Sequence, residues 1–374
     1  MNTALKVIAR IFAFIFAILL VVAIPVALIA YDAGRVVFNP PIVKQITTNI
    51  IAESDLIPVA LEWFSENQAE KRYEEDKAQA WVDEPNIVQL MAHLDTEDWR
   101  EIREEILPNA ILEEWVSVSV DGTYEWIDNN ARVPQIIWDL QPLAERVNSE
   151  HGMKAIMIAY ESLKPCSPEQ IADFKERLAA VPAGTEVLYN LCQFPGTCAE
   201  DVESYGCDQV NDYTESLQDL VQSIPSKLEL TKELAQVEDT EGVGPLAIKQ
   251  QLRAIRLMMN LAPLLPLGLL FLVLLFAVRS LKELGMWWGI PLSLGSLITL
   301  ILALLYKPLM VGVLAAGPLS ETPTLIMPHA VGGVMHLMTE IFRPMRWQSL
   351  VTLLVGVALI VMMIIAKSES EKEK

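Results

Sequence analysis

Four long stretches of apolar residues dominate the hydrophobic pattern of the chain. They cover residues 11–30, 257–278, 286–306 and 348–366, and none of them contains Asp, Glu, Lys, Arg or His. About 20 apolar residues are enough for a helix to cross the hydrocarbon layer of a bilayer. The pattern therefore predicts a mainly α-helical protein with a bundle of four membrane-spanning helices.

The basic residues before the first apolar stretch predict its orientation. Lys6 and Arg10 precede a stretch of 20 residues, longer than the apolar part of a cleavable signal peptide. We therefore predict a retained anchor with a cytoplasmic amino terminus. The topology that follows is a cytoplasmic leader (1–10), a transmembrane helix (11–31), an extracytoplasmic domain (32–255), a transmembrane helix (256–278), a cytoplasmic loop (279–285), a transmembrane helix (286–306), an extracytoplasmic loop (307–346), a transmembrane helix (347–366) and a cytoplasmic tail (367–374).

Three basic residues near the second span weaken this assignment. Lys249, Arg253 and Arg256 lie just outside that span on its extracytoplasmic side, whereas Lys and Arg are usually more frequent on the cytoplasmic side. Their i, i+4 and i+7 spacing places them on one helix face. A basic face of this kind predicts contact with lipid headgroups, and it leaves the orientation undecided by charge alone.

The charge of the chain is concentrated between its first two apolar stretches. Residues 32–253 carry 42 acidic and 17 basic side chains, whereas the chain as a whole has a net charge of −20. A field of this sign repels nucleic acid and favours cations or basic partners within a Debye length. We therefore exclude nucleic acid as a partner. The expected partners are membrane lipid and an envelope protein or ligand.

All four cysteines lie in this acidic region. Cys166, Cys192, Cys198 and Cys207 form an even, clustered set in a domain that an amino-terminal anchor would export. Such a set predicts two disulfide bonds, and we favour the pairs Cys166–Cys192 and Cys198–Cys207 among the three combinations. The alternative is a structural zinc site, but the set lacks the paired C-x2-C spacing of most such sites. The absence of an N-x-S/T sequon favours a bacterial cell membrane.

Local patterns in the acidic domain are mostly helical. Apolar residues at 3.6-residue spacing predict a helix from Val210 to Ile224, which Pro225 ends. Ser167 followed by proline and by Gln170 predicts a capped helix start. Trp99, Ile102 and Ile106 form a third helical stripe, with Thr96 as the predicted cap. Little sheet is expected, with strands at 132–140 and 185–194, and 115–120 is compatible with helix or strand.

The segment between the third and fourth spans contains a candidate metal or proton site. Residues 308–319 are apolar but too few to span, so they are predicted to form an interfacial or re-entrant piece. In the helix predicted after it, His329, His336 and Glu340 share one face. The alternative, which we favour, is the wet face of an amphipathic helix whose Val331, Val334, Met335 and Met338 contact lipid, because the two histidines are about 10 Å apart along a helix.

Two of the predicted spans contain small residues or prolines at positions that affect helix packing and shape. Gly285, Gly289 and Ser293 recur every four residues, a stripe that lets two membrane helices pack closely. Packing within the bundle is preferred over dimerisation because other spans are present in the same chain. Pro263 and Pro266 predict a kink in the second span, and a helix starting at Pro245 is predicted to run straight into it.

The sequence contains no motif that indicates catalysis. P-loop, H-E-x-x-H, G-x-S-x-G and G-x-G-x-x-G patterns are absent, and no ionisable residue lies within the four uncharged stretches. No cofactor is predicted. The favoured hypothesis is a bacterial multi-pass envelope protein whose exported domain binds or senses a ligand or protein partner. The alternatives are a membrane-bound hydrolase or metal-dependent enzyme, and a component that handles lipid or another apolar substrate.

Overall fold

A computed structural model of the chain describes residues 3–75, 90–91, 93–180, 191–195, 205–231, 244–316 and 326–372. Most of these residues are helical, as the sequence predicted. In chain order the helices and strands are α1 (Thr3–Val37), α2 (Pro40–Ile51), α3 (Leu56–Glu75), α4 (Thr96–Ile106), α5 (Asn109–Asp128), β1 (Ile137–Asp139), α6 (Gln141–Val147), α7 (Glu150–Glu161), α8 (Pro168–Ala180), α9 (Tyr205–Gln222), β2 (Lys227–Glu229), α10 (Pro245–Leu261), α11 (Leu264–Ala277), α12 (Leu281–Leu284), a π-helical turn (Gly285–Gly289), α13 (Ile290–Ala316) and α14 (Met327–Lys372).

The core of the acidic domain lies where α4, α7 and α9 pack together. Trp99, Tyr160 and Tyr213 are buried there with the aliphatic residues of the same helices. The spacing that predicted α9 is confirmed for Val210, Tyr213, Leu217 and Val221, which line its buried face. Leu220 is exposed, and Ile224 lies beyond the end of the helix at Gln222. Burying such large side chains supplies the main driving force for folding this highly charged domain.

Local capping explains where two helices of the domain begin. The predicted capping box at α8 is present: Gln170 N donates to Ser167 Oγ at 3.2 Å, and Ser167 N donates to Gln170 Oε1 at 2.8 Å. At α4 the predicted cap was one residue off. Asp95 is the cap, accepting from the backbone N–H groups of Glu97 and Asp98, because a carboxylate accepts two such bonds at once.

The sheet consists of two short antiparallel strands. Strand β1 pairs with β2 through Trp138 and Leu228. The first predicted strand, 132–140, contains β1, whereas the ambiguous segment 115–120 is part of helix α5. Residues 185–190 of the other predicted strand lie outside the described residues, and Gln193 in its remainder forms an isolated parallel bridge to Pro165.

A disulfide bond closes the region around α8. Cys166 and Cys192 are joined, which is the pairing that the sequence favoured. Cys192 and Cys166 pack with Phe174 and Phe194 in a small apolar cluster of their own. Cys207 is also disulfide-bonded, and Cys198 lies outside the described residues. Oxidised cysteines of this kind are typical of compartments outside the cytosol.

Within the described residues three helices are long and apolar enough to cross a membrane. They extend over Ile8–Val37, Lys282–Leu314 and Met327–Ala366, and a fourth span exists if α10 and α11 are counted as one bent pair. These helices indicate a membrane protein. The predicted kink is present as a break at 262–263 that bends this pair by 44°. Helix α10 starts at Pro245 as predicted, but it does not continue straight into the second span.

The last two long helices differ in length from the sequence prediction. Helix α13 continues past Lys307 and Pro308 to Ala316, so the described part of 308–319 belongs to it and is not a separate piece. Helix α14 begins at Met327 and continues without a break through the predicted fourth span. The two helices pack against each other, and this packing maintains the helix although Pro308 removes one backbone hydrogen bond.

Candidate functional site

The acidic domain meets the membrane helices at a junction built from α1, α2, α5, α10 and α14. Helix α5 lies at its centre and contacts both α2 and α10. Helix α10 also packs on α1, where a Cβ atom added to Gly34 would lie 2.8 Å from Cβ of Met259. The junction therefore connects α5 to helices that lead into the membrane part.

Arg253 of α10 binds the carboxyl-terminal end of α5. Its Nε donates to the carbonyl oxygen of Ile127 at 2.5 Å, and its Nη2 donates to that of Asn129 at 2.5 Å. The last carbonyl groups of a helix have no partner inside the helix and carry a partial negative charge. The guanidinium group therefore satisfies two such acceptors and neutralises part of the helix dipole.

The two other residues of the same helix face bind the same end of α5. Lys249 Nζ donates to the carbonyl oxygen of Ala131 at 2.9 Å and lies 5.7 Å from the ring centroid of Trp126. Arg256 Nη1 pairs with Asp128 at 2.6 Å. We call Lys249, Arg253 and Arg256 the α10 clamp. The described contacts of this basic face are to protein acceptors at and just after the end of α5, at least 118 residues earlier in the chain, and contact with lipid headgroups stays a prediction.

Helix α5 is also tied to α2 and to the end of α1. Lys44 of α2 donates to Asp121 at 2.6 Å and to Ser117 at 3.0 Å. The hydroxyl of Tyr124 donates to the carbonyl oxygen of Val37, the last residue of α1. One helix of the acidic domain is therefore bonded to three neighbouring elements of the junction.

A buried acidic residue joins the first and last membrane helices. Asp32 is 1% exposed and accepts at Oδ1 a hydrogen bond of 2.9 Å from Nε2 of Gln348 in α14. The sequence placed Asp32 at the start of the soluble domain, but α1 continues five residues beyond it. The signal for its burial is that its neighbours on the helix surface, Leu28 and Val36, lie four residues before and after it and pack in the bundle.

His329, His336 and Glu340 all lie on α14, as the sequence predicted for a single helix. Within the described part of the chain no group of three or more His, Cys, Asp or Glu side chains could hold a metal ion. Part of the helix's apolar face packs against protein. Met338 packs against the cluster of Val36, Ile46 and Ile341, and a Cβ atom on Gly333 would lie 2.9 Å from Ile50 of α2. This half of α14 is therefore part of the junction.

The small-residue stripe at the start of the third predicted span faces α14 of the same chain. A Cβ atom on Gly285 would lie 2.5 Å from the carbonyl oxygen of Leu359, and one on Gly289 would lie 3.0 Å from that of Gly356. Gly356 in turn approaches Ser293, whose Oγ would lie 2.5 Å from an added Cβ. The stripe therefore packs against another helix of the same chain, which is the arrangement that the sequence favoured over dimerisation.

The described part of the acidic domain has a shallow, open cavity lined by titratable groups of both signs. It has a volume of about 430 Å³, and its walls include Glu145, Arg146 and His151. His151 Nδ1 lies 2.6 Å from a carboxylate oxygen of Glu105, and Arg146 Nε donates to the backbone carbonyl of the same glutamate at 2.7 Å. The hydrogen bond with His151 lowers the pKa of Glu105, although burial opposes this shift.

The lowered pKa of Glu105 predicts a loss of stability in acid. A carboxylate whose pKa is lower in the folded state stabilises the fold above its unfolded pKa, and this contribution disappears as pH falls through the folded value. We expect the free energy of unfolding of the wild-type protein to fall more steeply on acidification than that of the Glu105→Gln variant. Chemical denaturation at neutral and acidic pH measures both slopes. Equal slopes would contradict the prediction.

Comparisons with protein-family models, with curated proteins and with solved structures give no match for this chain. Its function is therefore argued from its own residues.

Proposed function

We propose that the protein is a multi-pass envelope membrane protein whose acidic domain binds a ligand or protein partner and passes the effect of binding to its membrane helices. The α10 clamp is the observation that carries this proposal. Three charged residues on successive turns of α10 bind one end of α5. Side-chain networks and rigid helices of this kind are the physical means by which two sites influence each other.

The bend after α10 supports the same proposal. A helix that is clamped on the domain side and broken by 44° before α11 can turn about the break. Hinges of this type occur at a few residues near the ends of secondary-structure elements. Rotation of α5 would therefore change the angle between α10 and α11 without unfolding either helix.

The cavity beside His151 is the proposed binding site for the ligand or partner. Its lining combines the apolar residues Ile111 and Pro142 with Arg146 and His151, which can donate hydrogen bonds. Concave sites with an apolar wall and a few polar groups are the usual form of a ligand site. A basic patch on a partner would also be attracted by the acidic surface around it.

The proposed topology, in which the acidic domain lies outside the cytoplasm, can be tested directly in intact cells. A membrane-impermeant maleimide, applied after mild reduction, should label the domain cysteines in the otherwise unchanged chain. A Ser280→Cys substitution in a variant without the four native cysteines should stay unlabelled until the cells are opened. If the Ser280→Cys variant is labelled in intact cells and the domain cysteines are labelled only in opened cells, the acidic domain lies in the cytoplasm and the proposal loses its basis.

Partner capture tests the binding part of the proposal. A photo-crosslinking amino acid at Ala110, which lines the cavity, should trap an envelope component in living cells. The same amino acid at the exposed Lys164, which is not among the residues that line the cavity, is the matched control. Trapping at both positions, or at neither, would argue against a binding site in this cavity.

With the trapped component bound, hydrogen exchange in α10 and α11 should change in the wild type and not in Arg253→Ala.

A second candidate function is the handling of lipid, and a specific groove favours it. Between α1 and α13 lies a cavity of about 310 Å³ whose walls include Phe14, Ile18, Trp287 and Leu294. The exposed surface of this cavity is almost entirely apolar, which suits an acyl chain. Native mass spectrometry of the full chain separates this function from partner binding. If the wild type retains a lipid and Ile18→Trp, which fills the groove, does not, the result would support lipid handling.

A further inference from the structure

Two buried oxygen atoms at the contact between α1 and α14 have no donor. They are Oδ2 of Asp32 and Oε1 of Gln348, and no described residue forms a hydrogen bond with either one. The remaining polar atoms of these two side chains are bonded to each other: Gln348 Nε2 donates to Asp32 Oδ1. Buried polar atoms in folded proteins are usually hydrogen-bonded, so this pair of acceptors requires a physical explanation.

The chemistry of the two groups identifies what is missing. An ionised carboxylate only accepts hydrogen bonds, and the oxygen of an amide also only accepts them. With Asp32 ionised, both unpaired atoms are therefore acceptors and cannot bond to each other. One proton on Oδ2 turns that atom into a donor. The carboxylic acid and the amide could then share two parallel hydrogen bonds, N–H to Oδ1 and O–H to Oε1.

The basic side chains around this contact are engaged elsewhere. Arg35, one turn further along α1, is exposed and lies over the ring of Tyr31; its positive charge acts on Asp32 through space, but no ion pair or hydrogen bond between the two side chains is described. Arg346 of α14 donates from Nε to the carbonyl oxygen of Ala303. Lys44 of α2 pairs with Asp121, and Arg256 of α10 pairs with Asp128. None of the ion pairs among the described residues involves Asp32, so a proton is the simplest positive charge to complete the site.

We propose that Asp32 and Gln348 form a proton-binding site that closes the contact between the first and the last membrane helix. A hydronium ion of the solvent supplies the proton: one of its O–H bonds breaks, an O–H bond to Oδ2 of Asp32 forms, and a water molecule is left. In the protonated state both unpaired atoms are satisfied and α1 is held against α14. Loss of the proton leaves a buried charge that is paired on one side only, and it weakens the contact. The inference does not depend on the partner of the acidic domain.

Infrared difference spectroscopy of the full chain in lipid nanodiscs tests the proposal directly. At neutral pH the wild-type protein should show the carbonyl band of a protonated carboxyl group, and this band should disappear as the pH is raised. The band should be absent from Asp32→Asn and unchanged in Asp55→Asn, which removes an acid that is paired with Arg100. If the wild-type protein shows no such band at any pH, the proposal is wrong.

Two further measurements test the proposal, and the first of them does not require Asp32→Asn to fold. In Gln348→Leu the amide partner is lost, so the carbonyl band of Asp32 should move to higher frequency. The melting temperature of the wild type should decrease as pH rises through the titration of the pair, whereas Asp32→Asn, whose amide can form both hydrogen bonds at every pH, should not show this decrease. Stabilisation by sodium ions that requires Asp32 would instead identify a metal-cation site and overturn the proposal.

Discussion

Replacing Arg253 with alanine is expected to destabilise the protein by about 2 kcal/mol, because a hydrogen bond to a charged group is worth about 1.5 to 3 kcal/mol and this side chain is partly exposed. The variant loses the two hydrogen bonds from its guanidinium group to the carbonyl groups of Ile127 and Asn129. It also loses a positive charge at the carboxyl-terminal end of a helix. Reversible unfolding of the full chain in mixed micelles measures the change.

Two matched variants test whether the effect of Arg253→Ala comes from the hydrogen bonds of its guanidinium group to α5. Arg253→Lys keeps the charge but can direct only one ammonium group at the two carbonyls, so it should restore part of the loss. Lys154→Ala removes an exposed cation whose nearest partner, Glu150, is 3.9 Å away, and it should change the stability by less than about 0.5 kcal/mol. If Arg253→Ala has no larger effect than Lys154→Ala, the clamp does not hold α5 to α10.

Replacing Gly356 with alanine is expected to force α13 and α14 apart and to destabilise their packing by about 1 to 3 kcal/mol, the usual cost of overpacking a closely fitted contact. The new Cβ atom would lie 2.5 Å from Oγ and 2.8 Å from the backbone nitrogen of Ser293. A backbone atom cannot move aside as a flexible side chain can. Unfolding in mixed micelles, and cysteine crosslinking between the two helices, measure the loss of packing.

Gly268 in α11 provides the control for Gly356. Apart from its chain neighbours and the backbone of its own helix, no described atom lies within 4 Å of a Cβ added there, and the residue is also inside an apolar helix. Alanine has a higher helix propensity than glycine by about 0.5 to 1 kcal/mol, so Gly268→Ala should leave the stability unchanged or raise it slightly. The two substitutions are chemically identical, and opposite signs would show that close helix packing, not helix propensity, determines the effect at Gly356. Equal effects would contradict this explanation.

Several elements followed from the sequence because their causes are local. The apolar stretches predicted the membrane helices, since each one contains enough uncharged residues to cross the hydrocarbon layer. The spacing from Val210 to Val221 predicted α9, and Ser167 with Gln170 predicted the start of α8. In each case the determining residues lie within a few turns of one another.

The partners of charged residues did not follow from the sequence in the same way. Basic side chains at i, i+4 and i+7 indicate a helix face, but they do not say whether lipid or protein supplies the acceptors. The α10 clamp binds the end of α5, more than 110 residues earlier in the chain. Likewise strand β2 is only three residues long and forms because β1, distant in sequence, provides its hydrogen bonds.

The sequence by itself determined the helical class, the apolar spans and the concentration of negative charge in one domain, and it favoured the disulfide between Cys166 and Cys192 that the structure contains. Only the tertiary structure decided that Asp32 is buried against Gln348, that α14 packs on α2, and that the basic face of α10 holds the acidic domain. The physical reason is the range of the interactions. Hydrophobic spacing and caps act between neighbours in the chain, whereas burial and hydrogen bonding of a charge depend on which distant helix lies beside it.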